Sequence, residues 1–407
     1  MLILVANLGS TSFKYQLWDM DHDAVLARGW VENIGHEESR CGVVIDGRER
    51  VQTRVVADHG VAVQACLDQL TDPQSGAVAQ AGDIGAIGFK AVHGGRLSGA
   101  HRVDESVLDA MAEMNAAAPA HNPPYIAAMR SLGERFPEMP LVAAFETGFH
   151  QTVPRARRRY GIPKRWDEGL KLQRYGFHGA SHRYIGHRVA KILGRDDAKV
   201  ISCHLGGSSS VTAIDGGQSV LTSMGLTPQT GLPQNNRVGD FDAYAIPIIR
   251  DATGLSVDEV LQTLASEGGL LGISDHSSDI RQVHAAAAEG NEDCRLAIDT
   301  YVEEVRRYLG ASMVALGRVA AIAFTGGIGE NDVQIRRGVT SGLESFGIVL
   351  DAAKNEAARG EASLHAADSA TEIWTIPAGE EFVVARQTLA VLEGRDPSVI
   401  RNPRTDG

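Results

Sequence analysis

The 407-residue sequence predicts an α/β protein built from two similar domains. Strand-like apolar runs alternate with helix-like segments along the chain, which is typical of mixed α/β folds. A unit of strand, glycine-containing turn and strand occurs twice, at residues 2–19 and again at residues 200–215. Because self-similarity within a chain indicates a duplicated structural unit, the two copies predict two related halves.

The first copy joins the apolar run 2–6 to the alternating segment 13–19 through the turn at residues 7–12. Apolar–polar alternation predicts a half-buried strand. The small residues of the turn let the backbone approach an anion closely, so its N–H and O–H groups, including those of Ser10 and Ser12, can donate to phosphate oxygens. Lys14, two residues after the turn, could add a positive charge next to the anion. Taken alone, most such turns are only turns.

The turn does not stand alone in this sequence. The second copy ends its first strand at His204 and turns through residues 205–210, and a third glycine turn at residues 324–331 follows the strand-like residues 320–323. Three glycine loops after three strands favour a nucleotide clamped between two domains.

Composition and charge narrow the functional classes. The chain is 43% hydrophobic and 22% charged, as in ordinary globular proteins. Its net charge of −12 argues against general nucleic-acid binding, because phosphate backbones select basic surfaces. An anionic substrate must therefore meet local basic groups.

Cysteine usage and hydropathy predict a soluble, cytoplasmic protein. The cysteines have no metal-binding spacing and favour a reducing compartment. The apolar N-terminal run is too short for a signal peptide, and no stretch approaches the length of a membrane span.

Taken in order, the elements predict domains at residues 1–149 plus 382–407 and at residues 150–381. In the first domain we expect strands and turns over 24–56, a helix over 61–70, a buried strand over 84–92 and a helix over 107–117. The prolines of residues 118–124 are expected to end that helix and fix an extended turn, before a buried strand over 141–145. In the second domain we expect helices over 184–193 and 295–316, a loop over 222–240, and a strand over 372–377 that leads to a final helix over 380–393. The basic run 155–159 is most simply a solvated helix end.

Ten short strings then occur in one order and spacing: NLGSTSFK, AVHGG, APAHNP, FETGFHQTVP, YGFHGASH, CHLG, TSMGLTP, RVGD, FTGGIGEN and IPAGEE. In this combination the chain resembles the acetate kinase family, within the actin, hexokinase and Hsp70-like phosphotransferase superfamily. The resemblance runs nearly end to end. It implies two RNase H-like (actin-like ATPase) domains with a nucleotide cleft between them.

The resemblance also implies an activity, the reversible transfer of the ATP γ-phosphoryl group directly to a short-chain carboxylate, giving an acyl phosphate and ADP. A carboxylic acid is ionised at neutral pH, so the nucleophile needs no general base. Catalysis then consists of positioning two anions and neutralising charge on the transferred group. The implied partners are ATP or ADP, a small carboxylic acid, Mg²⁺ or Mn²⁺, and a second copy in a homodimer built through the second domain. No nucleic-acid or membrane partner is implied.

Site residues follow from the same resemblance. The implied catalytic residues are Glu146, His178 and Arg237. The implied carboxylate-binding residues are Lys90, Val92, Ala120, His121, Phe177 and Pro228. The implied nucleotide- and phosphate-binding residues are Ser10, Ser12, Lys14, His204, Leu205, Gly206, Gly207, Ser208, Asp279, Ile280, Arg281, Gly327, Ile328, Gly329, Glu330 and Asn331. The implied Mg²⁺ positions are Asn7 and Glu380, because an oxygen ligand from each domain, together with ATP phosphates, suits a hard ion that keeps several waters.

The chain departs from the family pattern at several of these positions. Lys90 replaces an arginine and loses the bidentate fork, and Glu146 replaces an aspartate. The second loop, usually Gly-Asn-Gly-Gly-Ser, is Gly-Gly-Ser-Ser-Ser at 206–210, and the Gly-Thr-Arg string is Asn-Asn-Arg at 235–237. Ala120 replaces a leucine at a pocket wall. The smaller side chain favours an acid larger or more polar than acetate, with modest selectivity.

Two alternatives stay open at this stage. The altered second loop could signal another phosphoryl donor, such as pyrophosphate, although the intact segment 326–331 favours a nucleoside. Lys90 and Glu146 could instead mark a catalytically impaired paralogue that binds nucleotide as a sensor. Retention of Asn7, His178, Arg237 and Glu380 favours catalysis.

Overall fold

The computed structural model describes residues 1–9, 11–119 and 121–399, and the chain divides into two compact units. The first unit comprises Met1–Phe149 and the C-terminal segment that starts at Gly379, and the second comprises His150–Ala378. The returning segment was predicted to start at residue 382, so Glu380, which was expected in the second domain, belongs to the first unit with Asn7. Two residues with predicted roles, Ser10 and Ala120, lie outside the described residues.

The first unit contains a long mixed sheet and flanking helices. Its strands are β1 Leu2–Leu8, β2 Ser12–Asp19, β3 Ala24–Glu32, β4 Ser39–Ile45, β5 Arg48–Arg54, β6 Ile84–Ala91, β7 Ala100–Arg102 and β8 Leu141–Phe145. Its α-helices are α1 His59–Leu70, α2 Glu105–Ala112, α3 Asn122–Arg135 and α15 Glu380–Leu392. Short 3₁₀ turns span Ala81–Asp83 and, across the unit boundary, Glu146–Thr152.

The strand order of this sheet, among the described residues, is β5-β4-β3-β2-β1-β6-β8-β7. Strands β1 to β5 form an antiparallel meander, whereas β6 runs parallel to β1 and β8 runs parallel to β6. Successive side chains of β1 point to opposite faces of the sheet. Leu4 and Ala6 pack in the hydrophobic core on one face, and Ile3 and Val5 pack in the core on the other. The second of these cores includes residues of α15, so the returning helix covers one sheet face.

Two predictions about helix ends in this unit were wrong. The helix expected over 107–117 is α2, which ends at Ala112 well before the prolines. Pro123 and Pro124 do not fix an extended turn. They occupy the first turn of α3, where backbone N–H groups make no hydrogen bond within the helix, so proline costs none there.

The second unit has a smaller sheet and more helices. Its strands are β9 Lys199–His204, β10 Ser210–Asp215, β11 Gln218–Thr222, β12 Ala321–Thr325, β13 Ala362–Ser363 and β14 Glu372–Thr375. Its α-helices are α4 Arg155–Arg158, α5 Lys164–Leu170, α6 Gly179–Leu193, α7 Ala245–Thr253, α8 Val257–Ser266, α9 Gly269–Ser274, α10 Ile280–Ala288, α11 Glu292–Leu316, α12 Gly326–Asn331, α13 Val333–Thr340 and α14 Ala352–Ala357. A 3₁₀ turn spans Glu344–Phe346.

The two sheets repeat one topology within their described strands. The second sheet has the order β11-β10-β9-β12-β14-β13, and the series β11-β10-β9-β12-β14 matches β3-β2-β1-β6-β8 of the first sheet. Strand β12 runs parallel to β9, and β14 runs parallel to β12. The predicted duplication is therefore confirmed, because both glycine hairpins occupy the same place in their sheets.

The third predicted turn is wrong in detail. Residues 326–331 form the short helix α12 directly after β12. Gly326 has φ +78°, a conformation that glycine adopts without strain, and this lets the chain leave the strand and coil at once.

No helix in the described part of the chain is long and apolar enough to span a membrane.

Candidate active site

Polar side chains gather at the ends of three parallel strands in the first unit. Asn7 is near the end of β1, Lys90 is near the end of β6, and Glu146 directly follows β8. The register sets Ala6 opposite Phe89 and Lys90 opposite Ala144, so these ends lie side by side. Carboxyl ends of parallel strands are the usual place for ligand sites in α/β folds.

Lys90 forms an ion pair with Glu380. Its Nζ donates to the Glu380 Oε2 at 2.5 Å, and the two side chains are only 16% and 13% exposed. Burial alone would lower the pKa of Lys90, but the charges of Glu380, Glu146 and Glu381 and the hydrogen bond to Glu380 raise it above its usual value. Lys90 is therefore a fixed cation among acidic groups. This pairing joins the predicted carboxylate clamp to a predicted Mg²⁺ position.

Asn7 is held by a residue that the sequence analysis missed. The hydroxyl of Tyr125 donates to the Asn7 Oδ1 at 3.5 Å and accepts from the Leu8 N–H at 2.9 Å. Tyr125 is fully buried in α3. No short-range pattern in the sequence links a tyrosine of α3 to the end of β1.

The other predicted residues of the first unit lie around these strand ends or on the sheet. Val92 and His121 are half-buried, and His121 immediately precedes α3. Lys14 is exposed on β2 and, with Arg28 and Glu381, lines a cavity of about 380 Å³. Ser12 begins β2, and its carbonyl accepts from the Gly9 N–H at 2.8 Å.

In the second unit, two imidazoles are stacked at the start of α6. The rings of His178 and His204 have centroids 4.2 Å apart and planes inclined by 21°. The backbone of His178 is left-handed, with φ 55°. Such a conformation is uncommon for residues other than glycine and tends to occur at functional sites. Phe177 and Pro228 are buried in the same unit, and the carbonyl of Phe177 accepts from the Nε2 of buried His150.

A chain of hydrogen bonds orients the ring of His178. Its Nδ1 is 2.9 Å from the Ser210 Oγ, which is 2.7 Å from the Nε2 of His182, and the His182 Nδ1 is 2.8 Å from the Ser202 Oγ. Burial lowers the pKa of His182 well below its usual value, so this ring is neutral and has one N–H. If the His182 Nε2–H donates to the Ser210 hydroxyl oxygen, that hydroxyl is free to donate its own hydrogen to the His178 Nδ1. A neutral His178 then carries its hydrogen on Nε2. No role was predicted for His182, which lies near the start of α6.

Arg237 is held next to the second glycine loop. Its Nη1 donates to the Ser208 Oγ at 3.3 Å and to the Gln234 Oε1 at 3.2 Å. Gln234 is itself buried and donates to the Pro228 carbonyl at 2.7 Å. Burial lowers the pKa of Arg237, but an arginine stays charged at neutral pH. The guanidinium is therefore a positioned cation.

A cavity of about 910 Å³ opens beside this loop within the second unit. Its size is within the range of small-molecule and cofactor sites. Its lining residues are Gly206, Gly207, Asn235, Ser278, Asp279, Ile280, Arg281, Gly327, Ile328, Asn331, Asp332, Val333 and Gln334. Eight of these residues, from the second glycine loop, the start of α10 and α12, are among those predicted to bind nucleotide.

Several predicted nucleotide residues are placed elsewhere. The Glu330 Oε1 accepts from the N–H groups of Gly326 and Ala378, so this carboxylate braces the chain around α12. Leu205 is fully buried, and its carbonyl accepts from the N–H groups of Ile328 and Gly329. These residues fix the shape of the cavity wall without lining it.

Polar side chains on the cavity wall also include four that were not predicted from the sequence. Asn235, Ser278, Asp332 and Gln334 line the cavity. Asp279 accepts from the N–H groups of Arg281, and these hydrogen bonds lower the pKa of Asp279 to about 2. The cavity thus presents fixed polar groups and the backbone of two glycine segments.

This fold and these strand-end sites define a phosphotransferase that acts on a carboxyl group. Comparison with known proteins supports that class. The family model described as the acetokinase family matches residues 2–386. The chain belongs to the acetokinase family.

Relatives and solved structures agree with this assignment. The acetate kinase of Carboxydothermus hydrogenoformans is 40% identical over 396 residues, covering 96% of this chain and 99% of that protein. The acetate kinase of Heliobacterium modesticaldum is 40% identical over 398 residues, covering 97% and 100%. The crystal structure of Porphyromonas gingivalis acetate kinase is similar with a TM-score of 0.89 at 34% identity, covering 96% and 99%. A propionate kinase structure from Francisella tularensis gives a TM-score of 0.88 at 34% identity, covering 94% and 98%. The predicted actin-like ATPase fold is confirmed.

Proposed function

We propose that this protein is an ATP-dependent short-chain carboxylate kinase, which transfers the γ-phosphoryl group directly to a carboxylate and gives an acyl phosphate and ADP. The observation that carries the proposal is the second unit's arrangement of Arg237 and the stacked histidines next to a glycine loop that lines a nucleotide-sized cavity. Phosphoryl transfer needs such an arrangement, since positioned cations and backbone N–H groups stabilise charge on the transferred group.

The proposed roles follow from the contacts of each residue. Arg237 stabilises charge on the equatorial oxygens of the phosphoryl group, because Ser208 and Gln234 hold its guanidinium in place. His178 donates from Nε2 to the same group, with its ring orientation set through Ser210. The acceptor carboxylate attacks as an anion, and Lys90 attracts it. Glu146 lies close enough for its charge to act on Lys90.

Asn7 and Glu380 are the proposed Mg²⁺ ligands. An amide oxygen and a carboxylate oxygen are the hard donors that Mg²⁺ prefers. Among residues 1–9, 11–119 and 121–399, no group of three or more His, Cys, Asp or Glu side chains could hold a metal ion. The donor set therefore fits an ion that is bound mainly through water and nucleotide phosphates. When bound, such an ion neutralises charge on those phosphates.

The acid is proposed to be acetate-like, with room for a larger or hydroxylated chain because of Ala120. Purified protein with ATP and Mg²⁺ is assayed against acetate, propionate, butyrate, lactate and glycolate, with hydroxylamine trapping the acyl phosphate. We expect propionate or a hydroxylated acid to match or exceed acetate in kcat/KM. Acetate exceeding every other acid would refute the argument from pocket size, and no product from any acid would refute the kinase itself.

The same assay separates the phosphoryl donors. The cavity lined by α10 and α12 favours a nucleoside triphosphate. We expect turnover with ATP and none with pyrophosphate. Turnover with pyrophosphate alone would reverse that assignment, and ADP binding without any turnover would indicate an impaired paralogue.

The second unit is also the proposed dimer interface. Helix α7 has no buried residue, and Tyr244 and Ile248 are 85% and 70% exposed. Phe241 and, on the neighbouring helix α8, Leu261 are also exposed apolar side chains, and exposed apolar surface of this kind is typical of a protein interface. A second copy is the proposed occupant, as the family resemblance implies.

Light scattering after gel filtration tests the dimer. We expect the mass of two chains for the unmodified protein and of one chain for Ile248→Asp. Val314→Asp is the matched control, since it makes a similar exchange at an 87% exposed valine on a different helix, α11. A monomeric unmodified protein would overturn the proposal.

A further inference from the structure

The second glycine loop has no side chain of its own on the cavity wall. Only Gly206 and Gly207 of this loop line the cavity. The Ser209 hydroxyl accepts from the Gly206 N–H at 3.1 Å and contacts the Tyr301 hydroxyl at 2.8 Å, and the Ser208 hydroxyl accepts from Arg237. The loop's serines therefore hold the loop and the catalytic cation. They do not supply the side-chain amide that the family pattern has at residue 207.

An amide stands beside the loop in another segment. Asn235 lines the cavity, and its backbone N–H donates to the Gly207 carbonyl at 3.4 Å. A Cβ atom built on Gly207 would lie 3.5 Å from the Asn235 Nδ2 and 3.9 Å from its Cγ. These are ordinary van der Waals contacts, so the Asn235 amide lies directly beside the position of a side chain at residue 207.

The Asn235 side chain places an amide donor at the cavity wall. Its Nδ2 donates to no group among the described residues. Its Oδ1 is buried and accepts from no described residue. Because a carbonyl oxygen cannot bind a phosphate oxygen, the N–H₂ group is the part of this amide that suits a phosphate.

We propose that Asn235 binds a phosphate group of the nucleotide in this cavity, replacing the amide that the second glycine loop lacks. The inference rests on the proposed function for the identity of the nucleotide. The chain departs from the family pattern with glycine at 207 and asparagine at 235. The two departures compensate each other, because the amide absent from the loop is supplied by the neighbouring segment.

The two positions are neighbours at the cavity wall. Asparagine at both positions would place two amides side by side, and an added side chain in a packed site displaces its neighbours. Glycine at both positions would leave the phosphate without its donor. Each single exchange should therefore weaken nucleotide binding, and the two exchanges together should restore it. Strong non-additivity is the expected signature of residues in contact.

The experiment measures ADP and adenosine binding by titration calorimetry for the unmodified protein, Asn235→Gly, Gly207→Asn and the double variant. We expect Asn235→Gly to weaken ADP binding about tenfold, which is typical for loss of a hydrogen bond to a charged group. Adenosine binding should not change, since the contact is to phosphate. Gly207→Asn should weaken ADP binding as well, and the double variant should return to within about threefold of the unmodified protein.

Two further variants control the test. Asn236→Gly makes the same exchange one residue along, outside the cavity wall, and should leave ADP binding unchanged. Asn235→Ala removes the amide without adding glycine flexibility and should match Asn235→Gly. Unchanged ADP binding in both Asn235 variants, an equal loss for adenosine, or a double variant as weak as Gly207→Asn would overturn the inference alone. Absence of ADP binding by the unmodified protein would overturn the proposed function as well.

Discussion

The two glycine hairpins occupy equivalent places in their sheets but are held by different groups. In the first, the Gly9 N–H donates to the Ser12 carbonyl at 2.8 Å, and the Gly9 carbonyl contacts the Nε2 of His59 at 2.9 Å. In the second, the Gly206 N–H donates to a side chain, the Ser209 hydroxyl, which also contacts Tyr301. A main-chain hydrogen bond thus closes the first turn, whereas a serine side chain closes the second.

The two hairpins also differ in the cationic side chain that lies near them. A buried lysine on a neighbouring strand, Lys90, serves the first unit, and Arg237 from a loop serves the second. In both units a buried or half-buried cation from another segment lies near the hairpin, so a duplicated scaffold can diverge in the side chains around it.

Removing the cation of the second unit is expected to have the largest effect. Arg237→Ala should lower kcat about 10³-fold, because its charge is needed most in the transition state. ATP affinity, measured by calorimetry, should change little. Arg237→Lys, which keeps the charge but loses the fork, should recover part of kcat. An effect confined to KM would contradict the assigned role.

Removing the cation of the first unit should affect both activity and stability. Lys90→Ala should lower kcat/KM for the carboxylate about 10²-fold and lower the free energy of unfolding by about 3 kcal/mol, since the buried Glu380 would lose the opposite charge that Lys90 supplies. Urea unfolding measures the second effect. Arg130→Ala, which breaks an exposed pair with Glu105, is the control and should cost less than about 1 kcal/mol.

Lys90→Arg tests whether residue 90 binds the carboxylate substrate. If Lys90 binds the carboxylate, the arginine fork should lower KM for acetate. An unchanged KM would remove Lys90 from the substrate site and leave it as the partner of Glu380.

The pH dependence of stability should reflect the buried histidines of the second unit. Burial lowers the pKa of His150 to about 4, from about 6.5 in the unfolded chain. Between these values the unfolded state binds more protons, so the free energy of unfolding should fall as pH falls from about 6.5 to about 4, by ~3 kcal/mol from this residue. Thermal or urea unfolding across that range measures the slope. His150→Gln should flatten it, and an unchanged slope would contradict the assignment.

The smallest expected effect concerns the serine that closes the second hairpin. Ser209→Ala removes its hydrogen bonds to Gly206 and Tyr301, and should lower the free energy of unfolding by about 1 kcal/mol. KM for ATP should rise about two- to threefold, because the loop becomes less ordered. Ser12→Ala in the first hairpin is the matched control, because the Gly9 N–H there bonds a main-chain carbonyl. Equal losses from both variants would contradict the contrast.

Local chemistry made the hairpins predictable from sequence. Alternation in residues 13–19 and 211–215 and the glycine turns before them predicted two antiparallel pairs, which the register of β1 with β2 and of β9 with β10 confirms. Glycine-rich residues 326–331 were less predictable, because the same composition forms a turn or the first turns of a helix. Pro123 and Pro124 misled for a related reason, since proline is found both in extended turns and at helix starts.

Contacts between distant segments had no signal in the sequence. The Lys90–Glu380 pair joins residues 290 positions apart. Tyr125 reaches Asn7 from another element, and Asn235, in the loop after β11, lies beside Gly207. Single residues of these pairs were noticed as site candidates or departures, but their pairing depends on the sheet order. Spacing along the chain does not encode that order.

The central claim is that a carboxylate receives the γ-phosphoryl group of ATP directly. Phosphorus NMR of the purified protein with ATP, Mg²⁺ and acetate or propionate tests it most directly, since it distinguishes acyl phosphate from inorganic phosphate. We predict an acyl phosphate resonance that grows in step with ADP and disappears in Arg237→Ala. ADP accompanied only by inorganic phosphate from the outset, or no ADP with either acid, would contradict the account.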